Sequence, residues 1–474
     1  LRLRACLMGR EHLADAGGKV KSKHTENQGD DWVERLRQAG IDFSVGTLNF
    51  LANIGLMLPY ILMLLKYQET QSETYLIALV AFYISRAASI FYTKRLNLRS
   101  STYLIVSLVL GALGSLIFAL TSAVGWLVVG SLLWGYSAAT IWPYFLTLKL
   151  HLSQSSEFKM KRLYWLIFLG LGVMLAVDLA AGWSYTLTFS VLALLYLGAL
   201  PGGILLDNFT NDFYQNRPTH PHGLQQGWRW ALSLIGFAAI ALLTTLRKAA
   251  LNLPNGLVLA IIGVALVILA IELYGDRHIL PNYKIRLLNR GFLMSLVLLF
   301  SGFFAYFYFG HVGMYVVFAL YLVGFETGYT LFNKLGRGST KRALRLSQVS
   351  LLAGHVLLLI PWRWAYVVGI LLITLYVGYD NPTINATLYG APEIDHDMAI
   401  VHKYRFSTYG GLLCQLVMFG LLVAVSASAH LSILSFFKPS DASHFWLYTL
   451  AMSWPLTLAS LGISLGNILH EPKG

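Results

Sequence analysis

Thr102–Thr121 reads TYLIVSLVLGALGSLIFALT, twenty residues without a single charge. An α-helix rises 1.5 Å per residue, so a run of about 20 apolar residues crosses the roughly 30 Å hydrocarbon layer of a bilayer. Its only polar side chains are hydroxyls, which a helix absorbs by bonding them to its own carbonyls. The segment therefore reads as a membrane-spanning helix, and its neighbours repeat the pattern. Outward in both directions lie further apolar runs at 46–65, 75–93, 123–147, 163–182 and 186–206. A second series follows at 230–246, 256–274, 291–309, 312–332, 346–361, 364–388, 407–427 and 445–467. Tight turns are expected around Thr121–Ser122 and Gly310–His311.

The whole composition agrees with that reading. Of 474 residues, 56% are hydrophobic and 12% charged, with a mean hydropathy of +0.61. A soluble domain carries about 25% charged residues to keep its surface in water. In lipid only helices and closed barrels satisfy their backbone. The short alternating segments of barrel strands are absent here. The expected fold is an all-α polytopic membrane protein of about 14 spans.

Lys and Arg set the expected orientation. With the N-terminus in the cytoplasm, the inner loops collect Lys94, Arg95, Arg99, Lys149, Lys159, Lys161, Arg162, Arg217, Arg229, Arg277, Lys284, Arg286, Arg290, Lys334, Arg337, Lys341, Arg342, Arg345, Lys403, Arg405 and Lys473. The outer loops hold Lys66, Arg247, Lys248, Arg363 and Lys438. Both termini are thus expected inside, in an integral multi-pass protein of the plasma (inner) membrane. The net charge of +13 belongs to these loops rather than to nucleic-acid binding. Residues 1–45 are polar, lack the apolar core of a signal peptide, and are expected to form a cytoplasmic segment. Within them, Trp32–Arg37 has the composition of a short interfacial helix. Two distant cysteines, Cys6 and Cys414, make neither a disulfide framework nor a metal site.

A weak internal repeat runs through the spans. Gly135-Tyr136-Ser137-Ala138-Ala139-Thr140-Ile141 in the fourth matches Gly378-Tyr379-Asp380-Asn381-Pro382-Thr383-Ile384 in the twelfth. Ser89-Ile90-Phe91 and a basic turn close the second span; Thr330-Leu331-Phe332 and another basic turn close the tenth. Spans one to six then correspond to nine to fourteen. The implied organisation is a half at 46–206, a linker at 207–229, an inserted helix pair with its loop at 230–290, and a second half at 291–474.

This 6+2+6 plan, with a basic turn after the second helix of each half, resembles the major facilitator superfamily in its fourteen-span form. Lys94, Arg95 and Arg99, with Arg337, Lys341 and Arg342, stand where that family carries the basic end of its signature. The acidic residue of the signature is absent from both turns: Thr93 and Phe332 or Asn333 stand near its place. The fifth span lacks the Gly-Pro pattern of proton-coupled drug exporters. The resemblance implies two halves rocking about a central site, with no subfamily assigned.

Ionisable residues inside spans are costly and mark functional candidates. Arg86 and Glu326 occupy nearly equivalent places in the second and tenth spans, where the resemblance implies an inner gate closed by charge pairs. They read either as partners in a switching gate or as a permanent packing bridge. Asp178 in the fifth span reads as a protonatable coupling carboxylate or as a hydrated interface residue. Asp380, followed by Asn381-Pro382, reads as a cavity residue at a bent helix or as part of a helix break alone. Glu272 reads as an interfacial acid. The run Phe303, Phe304, Tyr306, Phe307, Tyr308, Phe309 reads as an interfacial belt or a cavity lining. Gly324-x-x-x-Gly328 and Gly462-x-x-x-Gly466 permit close helix packing. His311 and His355 stand alone and need no special role.

No nucleotide-binding loop, HExxH or paired His/Cys set occurs, so no cofactor or metal is expected. The expected function is a secondary active permease for a small, amphiphilic molecule, with protons as a second partner and the lipid bilayer as its medium. A lipid-linked oligosaccharide flippase of the multidrug/oligosaccharide exporter type is the alternative, although its extra pair would follow both halves. A membrane-embedded glycosyltransferase ranks lower, because no sizeable extramembrane loop carries its carboxylates.

Overall fold

In the computed structural model the described residues are 28–52, 63, 73–96, 98–155, 180, 186–215, 254–275, 280–392, 394–431, 436 and 442–470. The expected fifth and seventh spans, and most of the first, fall outside them. The chain divides into a unit of residues 1–42 and a unit of residues 43–474. Every long element among the described residues is a helix. They are α1 (Gln28–Phe50), α2 (Glu73–Leu96), α3 (Ser100–Leu120), α4 (Val124–Ser155) and α5 (Thr186–Gln215). After them come α6 (Asn255–Gly275), α7 (Pro281–Ser295), α8 (Gly313–Leu335), α9 (Thr340–Leu358), α10 (Arg363–Gly390), α11 (Ala399–Ala429) and α12 (Trp454–Leu469).

Nine helical segments among the described residues are long and apolar enough to cross a membrane. The protein is a multi-pass integral membrane protein. Its outward faces show why: Val109, Leu113, Leu116 and Leu120 recur every three or four residues along α3, and all are exposed. That is a lipid-facing stripe, since the same surface in water would expose a large apolar patch. α6 lies at the periphery, with 28% of its span buried against 67% for the span that begins with α7.

The apolar core is divided. One cluster joins residues of α1 to α5, such as Leu108, Trp134, Tyr144 and Tyr196; from later in the chain Val401 of α11 joins it and Met398 packs against it. A second joins α6 to α12, with Phe300, Ile373, Tyr409 and Leu456, and a small third one gathers Phe332, Ala343, Leu375 and Tyr379 between α8, α9 and α10. In the first group α2 and α3 both pack on α4, and α3 packs on α5. In the second, α8 and α9 both pack on α10, and α9 packs on α12. α11 bridges the groups, touching α2 and α4 on one side and α6, α7 and α10 on the other.

Glycines permit two of these close approaches. A Cβ on Gly135 would meet the Phe82 carbonyl oxygen of α2 at 2.5 Å, and one on Gly378 would meet the Phe325 carbonyl oxygen of α8 at 2.4 Å. These are the first residues of the two repeated sequence motifs. From the opposite side, Gly324 and Gly328 of α8 face Thr374 and Leu375 of α10. Among the described residues a Cβ on Gly462 or Gly466 meets nothing within 4 Å, so the second small-residue motif makes no close helix contact there.

The expected tight turns are present. Thr121 ends α3 in extended backbone and its hydroxyl accepts from the Ala123 N–H at 3.1 Å. Gly310 turns the chain with φ +59°. Helix starts differ more. α7 begins at Pro281, well before the expected 291, and α11 at Ala399 rather than 407. Hydropathy misplaces both because Lys284, Arg286, Arg290, Lys403 and Arg405 populate their first turns. Phe304 is buried, its ring 6.0 Å from that of Tyr366, while Phe307 meets Tyr448 at 5.5 Å.

Candidate functional site

α7, α10 and α11 converge on a buried cluster of charges. Arg286 and Arg290 stand one turn apart on α7, on one face of the helix. The Arg286 guanidinium meets Asp380 of α10 through Nη2 at 2.7 Å and Nε at 2.8 Å. Arg290 Nη1 lies 3.6 Å from the other Asp380 oxygen and donates to the Val377 carbonyl at 3.2 Å. Its Nη2 donates to Asn381 Oδ1 at 2.9 Å. The same amide oxygen accepts from Lys403 Nζ of α11 at 2.6 Å, and Asn385 Oδ1 accepts from Lys403 at 2.5 Å. Asp380 and Lys403 are each only 2% exposed, and Arg290 5%.

The balance of charge is uneven. Two guanidiniums share Asp380, and no carboxylate among the described residues contacts Lys403, the third cation of the cluster. Two like charges about 5 Å apart repel by about 3 kcal/mol at an effective dielectric of about 20. Desolvating each ion costs several kcal/mol more, which hydrogen bonds offset only where every donor is met. The two asparagine oxygens supply dipoles, not charge. Pro382 follows Asn381 within α10 and cannot donate to the Gly378 carbonyl, so one rung of this helix is missing beside the cluster.

Helix geometry sets the depth. Arg290 is nine residues into α7, about 13 Å along its axis. Asp380 is ten residues before the end of α10, about 15 Å from it. The cluster therefore lies inside the bundle, toward the end that carries the basic turns. The sequence tally of inner-loop cations included Arg286, Arg290, Lys403 and Arg405. The structure corrects this: all four stand in helices, and Arg405 is as buried as Lys403.

A second cluster joins the two helical groups at that same end. His151, in the last turns of α4, contacts Asp397 Oδ1 through Nε2 at 3.1 Å and the Tyr389 hydroxyl through Nδ1. The Ser100 N–H, at the start of α3, donates to Asp397 Oδ2 at 3.2 Å, and its hydroxyl donates to the Asp397 carbonyl at 3.1 Å. With Nε2 donating to the carboxylate, a neutral His151 accepts from Tyr389 through Nδ1. Ser100, His151 and Asp397 are all buried. The sequence signal was Glu393-Ile394-Asp395-His396-Asp397, an acidic stretch at an otherwise basic end.

The other candidates fall as follows. Asp178 lies outside the described residues. Arg86 is half-buried on α2 and Glu326 exposed on α8, and no ion pair joins them among the described residues. Tyr404 of α11 lies within the electrostatic reach of both Arg86 and Arg290. Lys94 and Arg95 end α2, their side chains outside the described set. Arg99, Arg337, Lys341 and Arg342 are exposed. Arg337 turns left-handed at φ 51°, a conformation that costs a non-glycine residue about 1 kcal/mol. Glu272 is more than an interfacial acid, since it accepts from the Tyr409 hydroxyl at 3.2 Å and so ties α6 to α11. His355 has a packing role, with Nε2 2.9 Å from the Ser460 hydroxyl of α12. Among the described residues no group of three His, Cys, Asp or Glu could hold a metal ion.

No protein-family model matches the chain, and no curated protein matches its sequence. Solved structures match over most of its length. The nucleoside transporter NupG is 13% identical with a TM-score of 0.45, over 92% of this chain and 100% of that one. The peptide transporter POT in complex with sulfate is 15% identical with a TM-score of 0.48, over 92% and 94%. A POT family transporter in complex with 5-aminolevulinic acid is 15% identical with a TM-score of 0.47, over 92% and 96%. At these values the likeness assigns neither family nor substrate.

Proposed function

We propose that the protein is a secondary transporter of the major facilitator type, moving a small molecule by alternating access between two six-helix halves. The observation that carries the reading is the buried Arg286–Arg290–Asp380–Lys403 cluster inside a membrane bundle. A protein that only had to stay in lipid gains nothing from such costly charges, and intramembrane ions mark substrate or ion paths. Three matched helix pairings support the repeat: α2–α4, α3–α4 and α3–α5 correspond to α8–α10, α9–α10 and α9–α12. Ser44 of α1 also bonds the Gly198 carbonyl of α5, as Ser464 of α12 bonds Asn289 of α7. With α6 and the 230–246 run as the inserted pair, the spans number fourteen.

In this reading the basic turns face the cytoplasm, and the His151–Asp397–Ser100 contacts close the inner side. Arg86 and Glu326 pair in the opposite state, when α2 and α8 approach. Exchanging the two charges then restores transport that each single reversal removes; a dead exchange variant beside two dead single variants counts against the pairing. Asp178 couples protons. The test of the function is substrate-dependent proton movement in proteoliposomes across a compound library, beside Asp178→Asn. Flux lost in the variant supports a proton-coupled permease. Translocation of a labelled polyprenyl-linked sugar, with no solute flux, replaces this reading with the flippase.

A further inference from the structure

We infer that the α7–α10–α11 cluster is an oxyanion site, and that the transported solute carries a carboxylate or phosphate group. This rests on the transporter reading and names its substrate class. Arg286 is held by Asp380 in two contacts. Arg290 has one longer approach to the same carboxylate. Lys403 has none: its two acceptors are amide oxygens, and its third N–H has no acceptor among the described residues. Lys403 is 2% exposed, so bulk water does not meet its amine, and no carboxylate among the described residues contacts it.

The geometry also gives the ligand a place. Arg290 and Lys403 share Asn381 Oδ1, so both cationic nitrogens lie within reach of one oxyanion. Asn381 and Asn385 act as neutral stand-ins for it. They stand on either side of Pro382, where α10 is short of a hydrogen bond and bends most readily. When α10 bends and the amides turn aside, an oxyanion accepts from Arg290 in a charge-assisted bond and from the third Lys403 N–H. Arg286 stays with Asp380, which fixes the α7–α10 spacing. Neutral sugars or nucleosides offer no charge to satisfy Lys403, and a cation is repelled.

The test uses full-length protein in detergent and in proteoliposomes. Probes are inorganic phosphate, glucose 6-phosphate, glutamate and lactate, with glucose, uridine and choline as comparators. Binding is read by thermal shift, and transport by counterflow. At least one anion is expected to bind and cross, with affinity falling as salt rises. Asn385→Asp is nearly isosteric and places a carboxylate against Lys403. It is expected to raise the melting temperature of the unliganded protein and weaken the anion at least tenfold. Lys403→Gln is expected to weaken it similarly, and Lys403→Arg to retain it.

Phosphate esters and carboxylates in separate arms decide which oxyanion is meant. Binding unchanged in Asn385→Asp overturns the inference, as does a panel in which no anion shifts the protein. Transport of glucose, uridine or choline without anion binding sinks the oxyanion site and leaves the transporter standing. Anion binding with no solute crossing does the reverse.

Discussion

At the scale of single residues, Asp380 organises the candidate site. It is the one carboxylate among the described residues contacted by Arg286 and Arg290, and it is buried with them. Removing one partner of a buried pair leaves an uncompensated charge, at a cost of about 3–5 kcal/mol. Asp380→Ala is therefore expected to lower the melting temperature in detergent and abolish transport. A variant as stable as the parent means that the two guanidiniums are compensated without Asp380. Asp380 was visible in the sequence as a lone acid in an apolar span. Its partners were not. Arg286, Arg290 and Lys403 look like positive-inside loop residues, because a hydropathy window drops wherever charges sit, even when a helix carries them inward.

At the scale of elements, close backbone approach decides which helices pair. Gly135 and Gly378 each open one of the two matched sequence motifs and each admits a neighbour, α2 against α4 and α8 against α10. Their threonines also match: Thr140 donates to the Tyr136 carbonyl, and Thr383 to that of Tyr379. Gly378→Leu is expected to force α8 and α10 apart, costing more than the 1–3 kcal/mol typical of overpacking, because backbone and not a flexible side chain blocks the way. Gly462→Ala and Gly466→Ala are expected to be tolerated, gaining up to about 1 kcal/mol of helix propensity. Size-exclusion profiles of the three variants check this. A monodisperse Gly378→Leu at parental yield contradicts the packing argument.

At the scale of the whole molecule, the two large cores are joined through α11 and fastened at one end by Asp397. A Ser100→Cys, Asp397→Cys pair bridges the same contact. Oxidation is expected to stop uptake and dithiothreitol to restore it, if the halves must part there in each cycle. Uptake that continues in fully cross-linked protein excludes motion at that contact. The sequence by itself determined that this is a helical membrane protein with a basic turn after α2 and another after α8. Those properties follow from the lipid, which demands long apolar helices whatever they pack against. It also carried the glycines of the repeat, which mark close approach without a partner named. Only the tertiary structure decided which charges meet. Asp380 meets an arginine 94 residues away, and His151 an aspartate 246 residues away. Such pairs depend on where each helix begins and how it is rotated in the bundle, and local hydropathy contains neither.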